Sequence, residues 1–343
     1  MMLRWKNSAS VILAANLKHN SIGKSIPTSY DYKLLSVKRQ KNSSFLPGNY
    51  VFPGGTVDVA DLDVKWKHLY KKYGFDDSEF SSLFPKTNKT RPCIFEMESN
   101  DSQQLPKEIS LRITAARETF EECGILLCKS AKKTASPGWI NCYSLNQTSL
   151  EEWQKKVHKN ATEFYNLCET LNCFPDLWAL YEWGNWLTPT ALNGKRFNTI
   201  FFIACLETIP VSNHDDIEIE ELSWNFPNEL ISSSAKFKLA PPQVYEISRI
   251  SKFNFFNDLL HYAIDFNKTG VDFKLPVIVK LSDGAVYLLP GDADYPANVN
   301  LTSFQQFDYA NITIDQFRDA TGAKHRMEFS KDLSKPRKLL QTC

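Results

Sequence analysis

The chain has 343 residues, 43% of them hydrophobic, enough to bury the core of one large domain or two ordinary ones. Its 40 basic and 39 acidic side chains leave a net charge of +1, which excludes a global electrostatic pull toward nucleic acid or a membrane surface. No apolar run approaches the roughly 18 residues of a membrane span, and Met1–Lys18 lacks the long apolar stretch of a secretion signal.

In chain order, Ser8–Asn16 reads as a β-strand, Lys18–Pro27 as a turn punctuated by Gly23 and Pro27, and Tyr32–Arg39 as a second strand. Within Leu46–Gly55 a short strand is bracketed by Pro-Gly pairs at 47–48 and 53–54. From Asp61 to Ser110 the chain turns polar and weakly periodic, which predicts an insertion holding a short helix at Lys65–Tyr73 and a loop at Lys86–Gln104. Glu108–Cys123 is a strong helix without Gly or Pro, closed by Gly124. Then come a strand at Ile125–Cys128, a turn-rich stretch at Lys129–Asn141, a helix over Leu150–Leu171 and a tryptophan-rich run at Asp176–Leu187. Asn198–Thr208 predicts a buried strand, Ile217–Trp224 an exposed strand or turn, Pro227–Ser232 a short helix, and Pro241–Phe266 one long amphipathic helix begun by proline. Leu275–Lys280 and Ala285–Leu289 flank Ser282-Asp283-Gly284, a hairpin signal. The eight cysteines contain no Cys-x-x-Cys pair, so their spacing argues against a zinc site and a disulfide framework and for reduced thiols inside a cell.

The stretch that carries chemistry is Arg117-Glu118-Thr119-Phe120-Glu121-Glu122-Cys123-Gly124-Ile125. On a helix at about 100° per residue, Glu118, Glu121 and Glu122 share one arc of about 100°. Ile109, Ile113, Ala116 and Phe120 fall roughly opposite, so one side packs on a core and the other presents acid. On a solvated face such a cluster costs only a few tenths of a kcal/mol per pair. Once partly buried, the carboxylates repel by roughly 1–3 kcal/mol per pair, and a hard divalent cation with oxygen ligands relieves that repulsion.

Here the sequence resembles the nudix hydrolases, whose signature ends in Arg-Glu-aliphatic-x-Glu-Glu-x-Gly-aliphatic; Thr119 stands where an aliphatic is usual. The first half of the signature looks like Gly54-Gly55 through Asp61, with Asp61 in place of glutamate, and 55 residues separate it from Arg117 where the family has seven. A split box of this kind resembles the acyl-coenzyme A diphosphatase branch. Phe45–Gly48, Val51–Gly55, Trp183–Pro189, Arg196–Thr199 and Leu288–Asp292 are similar to that branch as well.

The resemblance implies an α/β fold, a nudix α/β/α sandwich with a mixed sheet, an insertion at about 62–107 inside the box, and a C-terminal helix plus hairpin extension. It places the hydrolase domain at 1–240 and the extension at 241–343. Glu118, Glu121 and Glu122 would hold Mg2+ or Mn2+, with the Gly54 carbonyl and a late acid, first choice Glu221 among Asp215, Asp216, Glu218, Glu220 and Glu221. Arg117 would orient these carboxylates. Arg39, Lys195 and Arg196 would meet substrate phosphates. Tryptophans 178, 183 and 186 would either stack on adenine or belong to the core.

The expected partner is a small molecule, coenzyme A or acyl-coenzyme A, cut to 3′,5′-ADP and the (acyl) 4′-phosphopantetheine, with no nucleic acid and no membrane span. NADH, ADP-ribose or another nucleotide is the alternative substrate, because the box reads only the shared diphosphate. A binding module without catalysis is the other alternative. The insertion is the expected place for specificity toward the pantetheine arm. The family points to peroxisome or mitochondrion, although the C-terminal tripeptide is not Ser-Lys-Leu and the cytoplasm remains open.

Overall fold

The architecture grows from β1 (Lys6–Asn16), whose alternate side chains enter two different cores. Ala9, Val11, Leu13 and Ala15 face one; Ile12 and Ala14 face the other. A strand apolar on both faces belongs in the middle of a sheet covered on both sides. The structure, a computed structural model, describes residues 5–17, 29–87, 89–96, 104–130, 138–140, 142–192, 194–215, 217–233, 236–320, 322–332 and 338–341. The turn expected at Lys18–Pro27, Asp216 and the last two residues lie outside these.

Eight strands form the main sheet. They are β1, β2 (Tyr32–Arg39), β3 (Tyr50–Val51), β4 (Gly54–Thr56), β7 (Tyr181–Leu187), β8 (Phe197–Leu206), β9 (Ile219–Asn225) and β10 (Phe273–Lys274). The order is β10-β7-β8-β1-β2-β3, with β4 paired to β1 and β9 to β2. β1 runs parallel to β8 from Lys6↔Phe197 to Ala15↔Leu206, and antiparallel to β4 at one end and β2 at the other. One face carries α3 (Lys107–Cys123) through Leu111, Ala115 and Cys123. The other carries α6 (Pro227–Ser232), α7 (Pro241–Ile250) and α8 (Phe256–Thr269) through Leu230, Val244, Ile247, Leu259 and Ala263. The α/β/α sandwich with a mixed sheet is therefore present.

The insertion is a second layer over α3. Its helices α1 (Lys65–Lys72) and α2 (Asp77–Ser81) join α4 (Gln147–Lys159) and α5 (Thr162–Thr170). Trp66, Leu69, Tyr70, Phe80, Leu150 and Phe164 meet Ile109, Ile113, Ala116 and Phe120. The apolar arc of α3 thus packs on the insertion, while Leu111 and Ala115 pack on the sheet, and even Arg112 is 1% exposed. Among the described residues β5 (Cys128–Lys129) pairs with β6 (Phe174–Pro175), so the strand expected at Ile125–Cys128 shrinks to its last residue and an isolated bridge from Leu126 to Tyr143. The described cysteines carry free thiols, and Cys128, Cys168 and Cys173 meet within 4.8 Å of one another in this core, a convergence that their spacing hides.

Two long helices of the sequence reading are each two. Leu150–Leu171 breaks at Asn160, whose φ is −152° and whose side chain accepts Thr162 N–H at 3.1 Å. Pro241–Phe266 breaks after Ile250, where Tyr32 Oη bonds the carbonyls of Ile250 (3.0 Å) and Phe253 (2.7 Å), and Asp31 accepts Phe256 N–H. Because α7, α8 and β10 belong with the main sheet, the C-terminal unit starts near Val277 rather than at 241. It is larger than a hairpin. β11 (Val277–Leu281) and β12 (Gly284–Leu288) lie inside a five-stranded sheet with β13 (Gln306–Tyr309), β14 (His325–Ser330) and β15 (Lys338–Gln341). α9 (Ile314–Asp319) packs Ile314 and Phe317 on it. Asp292 and Arg326 form an ion pair at its base, both almost fully buried. Among the described residues no helix is long and apolar enough to cross a membrane.

Candidate active site

The two halves of the box meet where β4 lies against the acidic face of α3. Arg117, 3% exposed, is the hub. Its Nε and Nη2 hold both oxygens of Asp61 at 2.8 and 2.9 Å, and Nη2 also donates to the Thr56 carbonyl at 3.0 Å. Nη1 lies 2.9 Å from Glu118 Oε1 and donates to Glu121 Oε2 at 2.8 Å. Arg117 thus contacts Asp61 and two of the three box glutamates. Asp61, which replaces the family glutamate, anchors that arginine; it is 1% exposed and also accepts from Thr114 Oγ1 at 2.8 Å.

Glu118 stands against Gly55: a Cβ there would be 2.4 Å from Glu118 Oε2. Gly54, at φ +154°, presses on β1, where a Cβ would be 2.4 Å from the Ala9 carbonyl oxygen. Its N–H donates to Glu122 Oε2 at 2.9 Å, and Arg39 Nη1 lies 3.8 Å from Glu122 Oε1. Burial pushes Glu118 up to about 8 and Glu121 up to about 7, with neighbouring carboxylates adding to the rise and Arg117 opposing it. Burial and then Glu118 raise Glu122 as well, against the pull of Arg39. Glu121 also has His158 Nδ1 at 3.5 Å, a neighbour on α4 that the sequence reading missed.

Of the late acids, Glu218 faces this centre. It lies 3.3 Å from Arg39 Nη2, and its charge adds to the rise at Glu121 and Glu122. Glu221, the first choice from sequence, instead accepts from Tyr50 Oη at 2.8 Å and does not line the cavity. The cause is an irregularity in β9: Lys38 faces Glu221 but Arg39 faces Ile219, so the alternation changes phase there.

The cavity beside Glu118 has a volume of about 330 Å3. Gly54, Gly55, Arg39 and Glu218 line one part, and Phe45, Leu46, Leu187, Leu192 and Phe197 line much of the rest. None of the described lining residues lies between 62 and 107, so the described part of the insertion does not form this wall. Lys195 reaches the cavity with its ammonium 3.2 Å from Ser44 Oγ. Arg196 does not: it is 3% exposed and ties the carbonyls of Thr188 (2.9 Å) and Leu301 (2.8 Å). Trp186 lines the cavity, whereas Trp183 packs on Tyr262 and Phe266 in the core and Trp178 stacks on Phe75 under the insertion.

Five carboxylates (Asp61, Glu118, Glu121, Glu122, Glu218) therefore gather around two guanidiniums, Arg39 and Arg117. This excess of hard oxygen donors in a half-buried site suits a divalent cation by its chemistry.

Known proteins resemble this chain over most of its length. The family model of the NUDT19 Nudix domain matches residues 5–250, and that of the NUDT19 C-terminal domain matches residues 278–334. An acyl-coenzyme A diphosphatase NUDT19 of Xenopus laevis is 32% identical over 340 residues, covering 94% of this chain and 90% of the relative. The protein of the same name from Gallus gallus is 36% identical over 316 residues, covering 87% and 82%. A solved NUDIX hydrolase from Alicyclobacillus acidocaldarius aligns with a TM-score of 0.52 at 19% identity, over 76% of this chain and 97% of its own, which shows the shared fold.

Proposed function

The chain belongs to the nudix hydrolase family, in its NUDT19 group, and from that premise we propose that it is a metal-dependent diphosphatase of coenzyme A and acyl-coenzyme A, yielding 3′,5′-ADP and the (acyl) 4′-phosphopantetheine. The observation that carries the proposal is the rejoined box: Glu118 against Gly55, beside an excess of carboxylates, in a cavity whose remaining lining is largely apolar.

Glu118, Glu121 and Glu122, with Glu218 as the late acid and Gly54, which lines the same cavity, are the residues that would hold Mg2+ or Mn2+. When bound, such an ion supplies positive charge against the diphosphate oxygens and acidifies a water. The chain's own residues do the rest. Arg117 holds Glu118 and Glu121 in place by charge-assisted hydrogen bonds, so little reorganisation is left for the reaction. Arg39, whose Nε has no hydrogen-bond partner among the described residues, faces the cavity and is suited to a phosphate oxygen. Lys195, at the exposed edge, is suited to the 3′-phosphate of coenzyme A. Arg196 is left out of the substrate set, because it does not line the cavity and its Nε and Nη1 are held by backbone carbonyls.

The test is product analysis with coenzyme A after chelation and after Mg2+ is restored. Cleavage to 3′,5′-ADP and 4′-phosphopantetheine only with metal is the expected outcome. Cleavage of NADH or ADP-ribose in preference to coenzyme A would move the substrate to the nucleotide alternative. Binding of these substrates with no cleavage of any of them by the wild-type chain and Mg2+ would revive the non-catalytic module, against which the complete set of box glutamates stands. A peroxisomal or mitochondrial location belongs to the same proposal, and imaging of the tagged full chain tests it.

A further inference from the structure

Gln243 sits in the first turn of α7, behind Pro241 and Pro242, and is 6% exposed. Its Oε1 is buried without a hydrogen-bond partner among the described residues. The same residue lines the cavity that holds Glu118, Gly54 and Gly55. Buried side-chain acceptors are nearly always satisfied, and an exception in a native structure needs a reason. For a residue that lines a substrate cavity there is a direct one: the donor arrives with the substrate.

We propose that Gln243 is a specificity-determining residue that accepts a hydrogen bond from an amide N–H of the substrate's pantetheine arm; this rests on the coenzyme A reading above. An N–H donor has two sources in coenzyme A, the secondary amides of that arm and the exocyclic amine of adenine. The lining favours the arm. Leu187, Phe197, Pro276 and Tyr287 offer a mostly apolar passage, matched by methyl and methylene groups with widely spaced amides. A cavity of about 330 Å3 is at the small end for a drug-sized ligand, so it seats one arm of coenzyme A and leaves the other outside. Lys195, at the exposed edge, then meets the nucleotide end. Pro276 and Tyr287 come from the C-terminal unit and its approach, which gives that unit a share in choosing the substrate.

The experiment uses the full chain with Mg2+ and compares wild type with Gln243→Met, which keeps the volume and removes the acceptor. Inhibition constants are measured for 4′-phosphopantetheine and for 3′,5′-ADP, with the KM for coenzyme A and the melting temperature. The expected result is a rise of about tenfold in KM and in the constant for 4′-phosphopantetheine, the loss of one ordinary hydrogen bond. The constant for 3′,5′-ADP stays as it was. The melting temperature without ligand holds or rises, since an unsatisfied buried acceptor has gone; a clear fall would mean that a structural water satisfies Oε1, and would overturn the proposal. An unchanged constant for 4′-phosphopantetheine, in an enzyme that cleaves coenzyme A, overturns this inference alone. Weakening of 3′,5′-ADP only would seat adenine at Gln243 and overturn it too. A wild-type protein that neither cleaves coenzyme A nor is inhibited by either fragment overturns both this inference and the diphosphatase reading.

Discussion

Adjacent glycines at 54 and 55 are constrained by different neighbours, and alanine at each has a different expected effect. At Gly55 the added Cβ meets only the carboxylate end of Glu118, which can swing away. The fold should survive, with a melting temperature within a few degrees of wild type, while displacement of Glu118 lowers kcat by about 100-fold. At Gly54 the Cβ meets the backbone of Ala9 and Ser10, which cannot move without parting β1 from β4. Gly54→Ala should therefore lower the melting temperature first, and parallel melts and rate measurements separate the two. The late acid gives a second contrast: Glu218→Gln should raise the metal concentration needed for half-maximal activity, and Glu221→Gln should not. At this scale the sequence was informative wherever one helix carries the geometry. Three glutamates on one arc need only the helical period to be found. The late acid depends on a strand irregularity opposite Lys38 and Arg39, and Arg196 on carbonyls from distant segments, so neither was legible.

The elements were legible when their apolar period was interrupted by their own residues and not when a partner interrupts it. α3 ends where Gly124 takes a left-handed φ of 66°, as its sequence predicts. The break between α7 and α8 is made by Asp31 and Tyr32, which bond the freed backbone groups from more than 200 residues away. β7 was missed because the tryptophan-rich run is buried along its whole length and shows no alternation. The insertion was legible as an insertion but not in its role. Since α1 and α2 share with α4 and α5 the core that covers Ile109, Ile113, Ala116 and Phe120, deleting residues 62–106 should open that core to water and cost the native state. Loss of a cooperative melt is expected, rather than the shifted substrate preference that a specificity loop would give. A deletion variant that melts cooperatively near wild type would refute this.

At the scale of the molecule, the C-terminal unit was legible only through its central hairpin, because β13, β14 and β15 join it from separate stretches of chain. Its base depends on Arg326, 0% exposed, against Asp292. Removing one partner of a buried ion pair leaves the other charge stranded, at about 3–5 kcal/mol. Arg326→Met should show that loss in urea denaturation. If the unit also closes the substrate cavity, KM should rise in step with its unfolding.

The parallel pairing of β1 with β8 has a consequence for how the chain is made. Ser8 and Thr199, 191 residues apart, end up 2.6 Å apart through their hydroxyls. At about 5–20 residues per second, the first strand leaves the ribosome and waits roughly 10–40 s for its neighbour to be synthesised. Throughout that interval a strand greasy on both sides keeps one edge unpaired, the shape that invites illegitimate pairing with another chain. Yield in cells should therefore depend on chaperones that hold nascent polypeptides, and slower translation between the two strands should lower it.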